Sequence, residues 1–259
     1  MLEEIKITKS IIKSAIDELL ECLDVDVIIG GGGPSGLVAG TYLAEKGYKT
    51  VLFESKLSLG GGMWGGGMMF PKIVVQKEAL KILDKFKINY KESENNYVSS
   101  SIEAVGKLVA GCCDAGCKIF NCISVEDVMI REELVCGVVI NWTAVGIAGL
   151  HIDPLTIQSK YVIDATGHPL EICNIVEKKT GKLRTKTGKI LGERSMWAEK
   201  AESVVLENTK EIYPGLYVCG MAANAAYGSP RMGPVFGGML LSGEKVAEEI
   251  GSLLSAAKK

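Results

Sequence analysis

The sequence predicts an α/β fold: a Rossmann-like dinucleotide-binding domain with a smaller inserted β-sheet. Three observations point there. An apolar run at residues 24–30 (DVDVIIG) leads into the glycine turn Gly31-Gly-Gly-Pro-Ser-Gly36 and a helical stretch, and a second apolar run at 50–53 ends at Glu54. That is a βαβ opening. Glycine supplies 31 of 259 residues, about 12% against a usual ~7%. These glycines cluster, as they do where backbone passes close to a ligand. Hydrophobic residues make up 47%, enough for a single large core. No repeat or linker divides the chain, so 1–259 reads as one α/β domain.

The elements follow in order. Residues 8–23 place Ile11, Ile12, Ala15, Ile16, Leu19, Leu20 and Leu23 at spacings of three and four, an amphipathic helix that caps the sheet or meets a subunit. The βαβ core begins at about residue 24, with a helix at 37–46 ended by Gly47. Residues 59–70 (LGGGMWGGGMMF) form a glycine- and methionine-rich loop. A helix is expected around 76–86, an exposed polar stretch at KESENNY, and a helix at 104–115. Segments 118–121, 126–131 and 135–140 alternate like strands of the smaller sheet. The uncharged run 134–150 reads as two strands around a turn at 141–143. A strand at 161–163 enters Asp164-Ala-Thr-Gly167. Lys-rich residues 174–194 read as a surface loop or flap, 216–219 as a late strand, and 234–250 as a closing helix stopped by Gly251.

Composition excludes several classes. With 29 Lys+Arg against 31 Asp+Glu, net charge is −2, which opposes nucleic-acid or membrane-surface binding through bulk charge. The charged N-terminus (MLEEIKITKS) lacks an apolar signal segment, and the expected location is the cytoplasm, with no membrane partner. Eight cysteines at 22, 112, 113, 117, 122, 136, 173 and 219 form no C-x-x-C. They read as reduced, mostly buried thiols, the Cys112/Cys113/Cys117 cluster included.

Four groups of residues carry chemistry. In Gly31-x-Gly33-x-x-Gly36 the first glycine makes the turn, the second admits pyrophosphate, and the third lets helix and strand pack closely. The helix N-terminus offers free N–H groups to phosphate. Glu54 suits an adenosine ribose that carries no 2′-phosphate. Asp164-Ala-Thr-Gly167 and Leu216-Tyr-Val-Cys-Gly220 resemble the two-dinucleotide-binding-domain flavoproteins, but Met221 stands where those place an Asp, which counts against FAD. The chain's two histidines sit at His151-Ile-Asp153 and at His168. Either all three of His151, Asp153 and His168 form a facial triad for Fe(II), or Asp153 and His168 alone hold a metal, or the histidines are structural. Arg231, inside Gly228-Ser-Pro-Arg-Met-Gly-Pro-Val-Phe-Gly-Gly238, suits a bidentate grip on a carboxylate or phosphate.

Together these residues resemble the thiamine thiazole synthase family. The matching pieces are Gly31–Gly36 with Glu54-Ser55, the Gly60–Gly67 run, Ser124-Val-Glu-Asp127, Asp153-Pro154, Asp164-Ala-Thr-Gly-His168 and Ser229–Gly238. The resemblance implies conversion of NAD, glycine and sulfide into an adenylated thiazole carboxylate and nicotinamide. It implies Fe(II) on Asp153 and His168, and Arg231 on the glycine carboxylate. By position it carries over NAD contacts at Gly31, Gly33, Ser35, Gly36, Glu54, Ser55, Gly62, Val125, His151, Ile152, Asp153 and Met221. Eukaryotic members place a sulfur-donating Cys where this chain has His151, so the resemblance is to the archaeal branch, which draws on exogenous sulfide and turns over repeatedly. His151 would shuttle protons or fill space. The resemblance also implies a homo-octamer whose metal site is shared between subunits. The rival readings are a flavin-dependent oxidoreductase, a ribose-bisphosphate isomerase and a non-enzymatic NAD-binding regulator.

Overall fold

The computed structural model describes residues 2–257. Helix α1 (Glu4–Glu21) buries none of its residues. Ile5, Ile11, Ile12, Ile16 and Leu20 lie exposed along it. Half-buried Leu19 packs on the core, and Glu18 pairs with Lys118 at 3.0 Å. Strand β1 (Asp24–Gly30), helix α2 (Pro34–Glu45) and strand β2 (Thr50–Glu54) follow as the sequence indicates, the strands pairing in parallel with Ile28 beside Val51. Both strands are central, so their β-branched residues are buried on both faces. Pro34 sits at the first turn of α2, where its missing N–H costs nothing.

The next segment carries helices close to the expected 76–86 and 104–115, together with three strands that were not expected there. Strands β3 (Lys72–Val75), β4 (Tyr90–Ser93) and β5 (Asn96–Ser100) form the smaller sheet in the order β3-β5-β4, with helix α3 (Leu80–Lys85) between β3 and β4 and helix α4 (Ser101–Asp114) after β5. The polar stretch KESENNY is exposed, as expected, but it is a hairpin. Glu94 and Asn95 both take left-handed backbone (φ 48° and 67°), the geometry of a tight turn between twisted strands.

The three segments assigned from sequence to the smaller sheet belong instead to the main one. Strand β6 (Lys118–Asn121) pairs in parallel with β2, the Phe53 and Phe120 rings stacking 5.8 Å apart. Strands β7 (Ile123–Arg131) and β8 (Leu134–Trp142) form a hairpin. The second half of the uncharged run is not a strand but the short helix α5 (Thr143–Ile147). Strand β9 (Leu155–Asp164) is long enough to serve twice: its first residues pair with β8, and its remaining length pairs with β1.

The Lys-rich segment starts as helix α6 (Glu171–Thr180), because Ile172, Cys173 and Val176 recur at helical spacing and are buried. Helix α7 (Ala198–Asn208), strands β10 (Lys210–Tyr213) and β11 (Leu216–Val218), and helices α8 (Met221–Ala226) and α9 (Gly237–Ala257) complete the chain. Helix α9 runs through Gly251 instead of stopping there. The Gly251 carbonyl accepts from Tyr48 Oη at 2.9 Å, which ties the helix to the turn before β2.

The eight-stranded sheet runs β10-β11-β9-β1-β2-β6, with β7 and β8 attached through β9. Alternation along β1 sends Val27 and Ile29 into the core under α2, α4 and α9, and Ile28 into the core beneath α6 and the β7–β8 hairpin. Among the described residues no helix is long and apolar enough to cross a membrane.

Candidate active site

A cleft of about 700 Å³ opens where β1, β2 and β9 end, the position at which parallel sheets present ligand sites. Its floor is the glycine turn. Gly31 has φ +102°, and its N–H donates to the Phe53 carbonyl at 2.8 Å. A Cβ on Gly36 would run into the Gly31 carbonyl oxygen, so this glycine supports the turn from below without lining the cleft. Gly33 and Ser35 line it at the start of α2. Nothing lies within 4 Å of where a Gly33 Cβ would stand. This is open space above free helix-start amides, suited to a phosphate.

Glu54 forms the wall. One carboxylate oxygen accepts from Gly32 N at 2.8 Å, the other from Lys56 N at 2.8 Å and from Ser55 Oγ at 3.4 Å. The turn and the end of β2 are thereby locked together before any ligand arrives. Ser55, Lys56, Gly62, Val125 and Met221 also line the cleft. The 59–70 loop is tied to the turn by Gly60 N, which donates to Gly32 O at 2.7 Å. Its methionines divide: Met63 is core, while Met68 and Met69 stand exposed on left-handed backbone, Met68 at the cleft wall.

At the end of β9 the buried Asp164 accepts from Thr166 N at 3.0 Å, Thr166 Oγ1 at 2.6 Å and Cys173 N at 2.9 Å. These bonds pin the Asp164-Ala-Thr-Gly167 turn to α6 and set His168 on the rim. Glu171 lines the same rim, and burial raises its carboxyl above the ordinary range, helped by the charges of Asp164 and Glu54. Opposite, Arg231 stands on a loop fastened from behind. Asn208 Nδ2 donates to Asn224 Oδ1 and to Ser229 Oγ, both at 2.9 Å, and Asn224 Nδ2 donates to Ala201 O at 3.1 Å. Glu193 bridges the rim: its carboxylate is hydrogen-bonded to His168 Nδ1 and lies 3.8 Å from Arg231 Nε.

Of the residues singled out from sequence, Gly31, Gly33, Ser35, Glu54, Ser55, Gly62, Val125, His168, Met221 and Arg231 converge on this cleft. His151, Ile152 and Asp153 do not. They stand exposed on the segment leading into the outer end of β9. A triad of His151, Asp153 and His168 is therefore not formed within one chain, and among the described residues no three His, Cys, Asp or Glu side chains cluster for a metal. Imidazole and carboxylate are suitable donors for ferrous iron, but a single chain brings only His168 of the pair to the cleft. Lys56, Glu171 and Glu193 escaped the sequence reading. Lys56 directly follows the recognised Glu54-Ser55 and Glu171 lies three residues after His168, whereas Glu193 carried no local signal.

All eight cysteines are free thiols, and none lines the cleft. Burial pushes the Cys219 thiol up to about 12 and raises Cys173 well above its ordinary value.

A sequence profile described as the Thi4 family matches residues 8–236. The chain belongs to the Thi4 family. Among curated relatives, the thiamine thiazole synthase of Methanothermobacter thermautotrophicus is 57% identical over 251 residues, covering 96% of this chain and 97% of the relative. That of Pyrococcus furiosus is 53% identical over 251 residues, covering 96% of this chain and 98% of the relative. The crystal structure of Thermovibrio ammonificans THI4 superposes with a TM-score of 0.97 at 49% identity, covering 98% of this chain and all of that one. A geranylgeranyl bacteriochlorophyll reductase-like protein of Thermoplasma acidophilum matches with a TM-score of 0.54 at 15% identity, covering 90% of this chain and 79% of that one, a likeness of fold alone. The Thi4 family match makes the chain an enzyme of thiamine thiazole biosynthesis. It sets aside the oxidoreductase, isomerase and regulator readings.

Proposed function

We propose that this Thi4 family enzyme converts NAD, glycine and exogenous sulfide into an adenylated thiazole carboxylate and nicotinamide, with Fe(II) as its metal and the cytoplasm as its location. The observation that carries the reading is one cleft lined by the Gly31–Gly33 turn, the Glu54 carboxylate, the His168 imidazole and Arg231. In it the NAD pyrophosphate lies over Gly31–Gly36, where Gly33 leaves open space above the helix-start amides. Glu54 accepts from the adenosine ribose hydroxyls. Arg231 takes the glycine carboxylate through its guanidinium fork and orients the amine toward the ribose carbon that nicotinamide leaves.

His168 and Asp153 of a second copy of the chain would hold Fe(II), which when bound would supply Lewis acidity toward substrate oxygen and nitrogen atoms. Sharing the site between copies accounts for the separation of the two ligands in one chain. It also gives the exposed Trp142, Ile147, Leu150, Ile152 and Leu155 beside Asp153 a surface to cover them. His151 would enter the same shared site, beside the nucleotide. The homo-octamer that the family resemblance implies is one assembly that would do this. Exogenous sulfide as sulfur source is supported by His151 at the sulfur-donor position and by a cleft lined with no cysteine.

The test is an anaerobic incubation with NAD, glycine, sulfide and Fe(II), read by mass spectrometry. The expected product is an adenylated thiazole in molar excess over protein, formed only when both sulfide and iron are present. Intact NAD under all conditions refutes the reading. Asp153→Ala and His168→Ala are each expected to abolish thiazole while still binding NAD. Co-assembled subunits of the two variants should regain part of the activity, since some sites then receive both intact ligands. No recovery on mixing sinks the shared site.

A further inference from the structure

We propose that Glu193 is a positioning residue that fixes His168 and Arg231 together, coupling metal binding to glycine binding. The inference rests on the reading that His168 holds the iron and Arg231 the glycine carboxylate.

The geometry is specific. The Glu193 side chain is largely withdrawn from solvent, at 18% exposure, and one carboxylate oxygen is hydrogen-bonded to His168 Nδ1. A carboxylate accepting from Nδ1–H holds the neutral ring with its free lone pair on Nε2, the nitrogen then left to face a metal. The other oxygen lies 3.8 Å from Arg231 Nε. An approach at Nε leaves the terminal amino groups of the guanidinium for a bidentate substrate carboxylate.

The backbone holds the same arrangement. Arg194 N donates to Ser229 O at 3.1 Å, Arg231 N to Arg194 O at 3.3 Å, and Trp197 N to Arg231 O at 3.1 Å. Residues 194–197 thus run as a strap bonded along the Arg231 loop, with a parallel bridge between Arg194 and Pro230. Residues 181–197 contain no helix, and the expected loop over 174–194 ends bonded to the Arg231 loop rather than standing clear as a flap. A shift of the strap moves Glu193, and with it both the imidazole and the guanidinium.

The test uses the full-length protein and the variants Glu193→Ala and Glu193→Gln. Three quantities are read: anaerobic Co(II) affinity by absorption spectroscopy, KM for glycine against kcat, and NAD affinity. Removing such a hydrogen-bond partner weakens metal binding by roughly tenfold to a hundredfold, so Glu193→Ala should lose Co(II) affinity on that scale and raise KM for glycine. Glu193→Gln keeps an oxygen acceptor for Nδ1–H but not the charge beside Arg231. It should recover most of the Co(II) affinity while KM for glycine stays raised. A purely structural role would not separate the two readouts. NAD affinity should hold in both variants, because Glu193 does not touch the turn or Glu54. Wild-type Co(II) affinity and glycine KM in Glu193→Ala overturn the proposal. Should Glu193→Ala not fold, a wild-type glycine KM in Glu193→Gln overturns it alone. If the wild-type protein itself makes no thiazole and binds no Co(II), the functional reading has failed, a result separable from any difference among variants.

Discussion

Replacing Gly33 with alanine should weaken nucleotide binding at least tenfold and leave the empty protein almost unchanged. Gly33 has φ −73°, ordinary for any residue, and a Cβ there meets nothing within 4 Å. Gly33 is also the N-cap of α2, and alanine is a poor cap, costing about 0.5–1 kcal/mol. Loss of unfolded-chain freedom returns about 0.4–1 kcal/mol. The net change is within about 0.5 kcal/mol, a Tm shift of about 1–2 °C for a chain of this size. The methyl group occupies the space assigned to pyrophosphate. NAD affinity should fall at least tenfold, or about 1.4 kcal/mol. Gly31→Ala is the counterpart. Its φ is +102°, and a Cβ would stand 2.5 Å from the Ala165 carbonyl oxygen. Left-handed backbone costs about 1–2 kcal/mol and overpacking about 1–3 kcal/mol, so its Tm should fall on the order of 10 °C. Differential scanning calorimetry and NAD titration of both variants separate the two effects. A Gly33→Ala protein that binds NAD like the parent refutes the placement of pyrophosphate over the turn.

Three further outcomes follow from the same structure. Asn208→Ala strips the donors to Asn224 and Ser229 behind the Arg231 loop. It should cost about 1–3 kcal/mol in denaturant unfolding and raise KM for glycine, and an unchanged KM shows that the network does not steady Arg231. Burial raises the Glu202 carboxyl above its ordinary value. Its folded pKa therefore exceeds the unfolded one, and its contribution to stability, full at low pH, declines as pH rises through the folded value. Glu202→Gln keeps an acceptor for Gly238 N without that decline, so the stability difference should move in the variant's favour between pH 4 and pH 7.5. A difference independent of pH contradicts the assignment. Finally, a thiol reagent at pH 8 should label only Cys113, Cys122 and Cys136 in the native protein. The other five thiols are buried and should react only after unfolding, as peptide mass spectrometry will report.

The parts of the molecule written in local pattern were legible. The β1–α2–β2 unit, Glu54, the Asp164–His168 turn and the Arg231 loop each combine a periodic run with glycine or proline at a fixed offset, and each lies where the sequence placed it. Sheet membership was not legible. Alternation in 118–140 reports a strand but not its partner, and stacking of Phe120 on Phe53 draws β6 to the main sheet. The β4–β5 hairpin was hidden because residues 91–96 are all polar, which leaves only Tyr90, Tyr97 and Val98 to mark a packed face, and its turn uses Glu94-Asn95 in place of a glycine. Glu193 was illegible for a different reason. Its role depends on backbone pairing between 194–197 and 229–231, and nothing near it in sequence encodes that contact. The separation of Asp153 from His168 within one chain was likewise invisible to spacing.

The floor of the cleft is built mainly from glycine main chain: Gly31, Gly33, Gly61, Gly62, Gly66, Gly67 and Gly167. Main chain of this kind has no side chain to delete. A conventional alanine scan, which reads importance from atoms removed, would pass over this surface or register only the bulk it added. Inherited variation meets the same asymmetry. Substitution can silence the nucleotide surface by gain of atoms, but no truncation of a side chain can erode it. The side-chain rim of Glu54, His168, Glu193 and Arg231 remains open to loss.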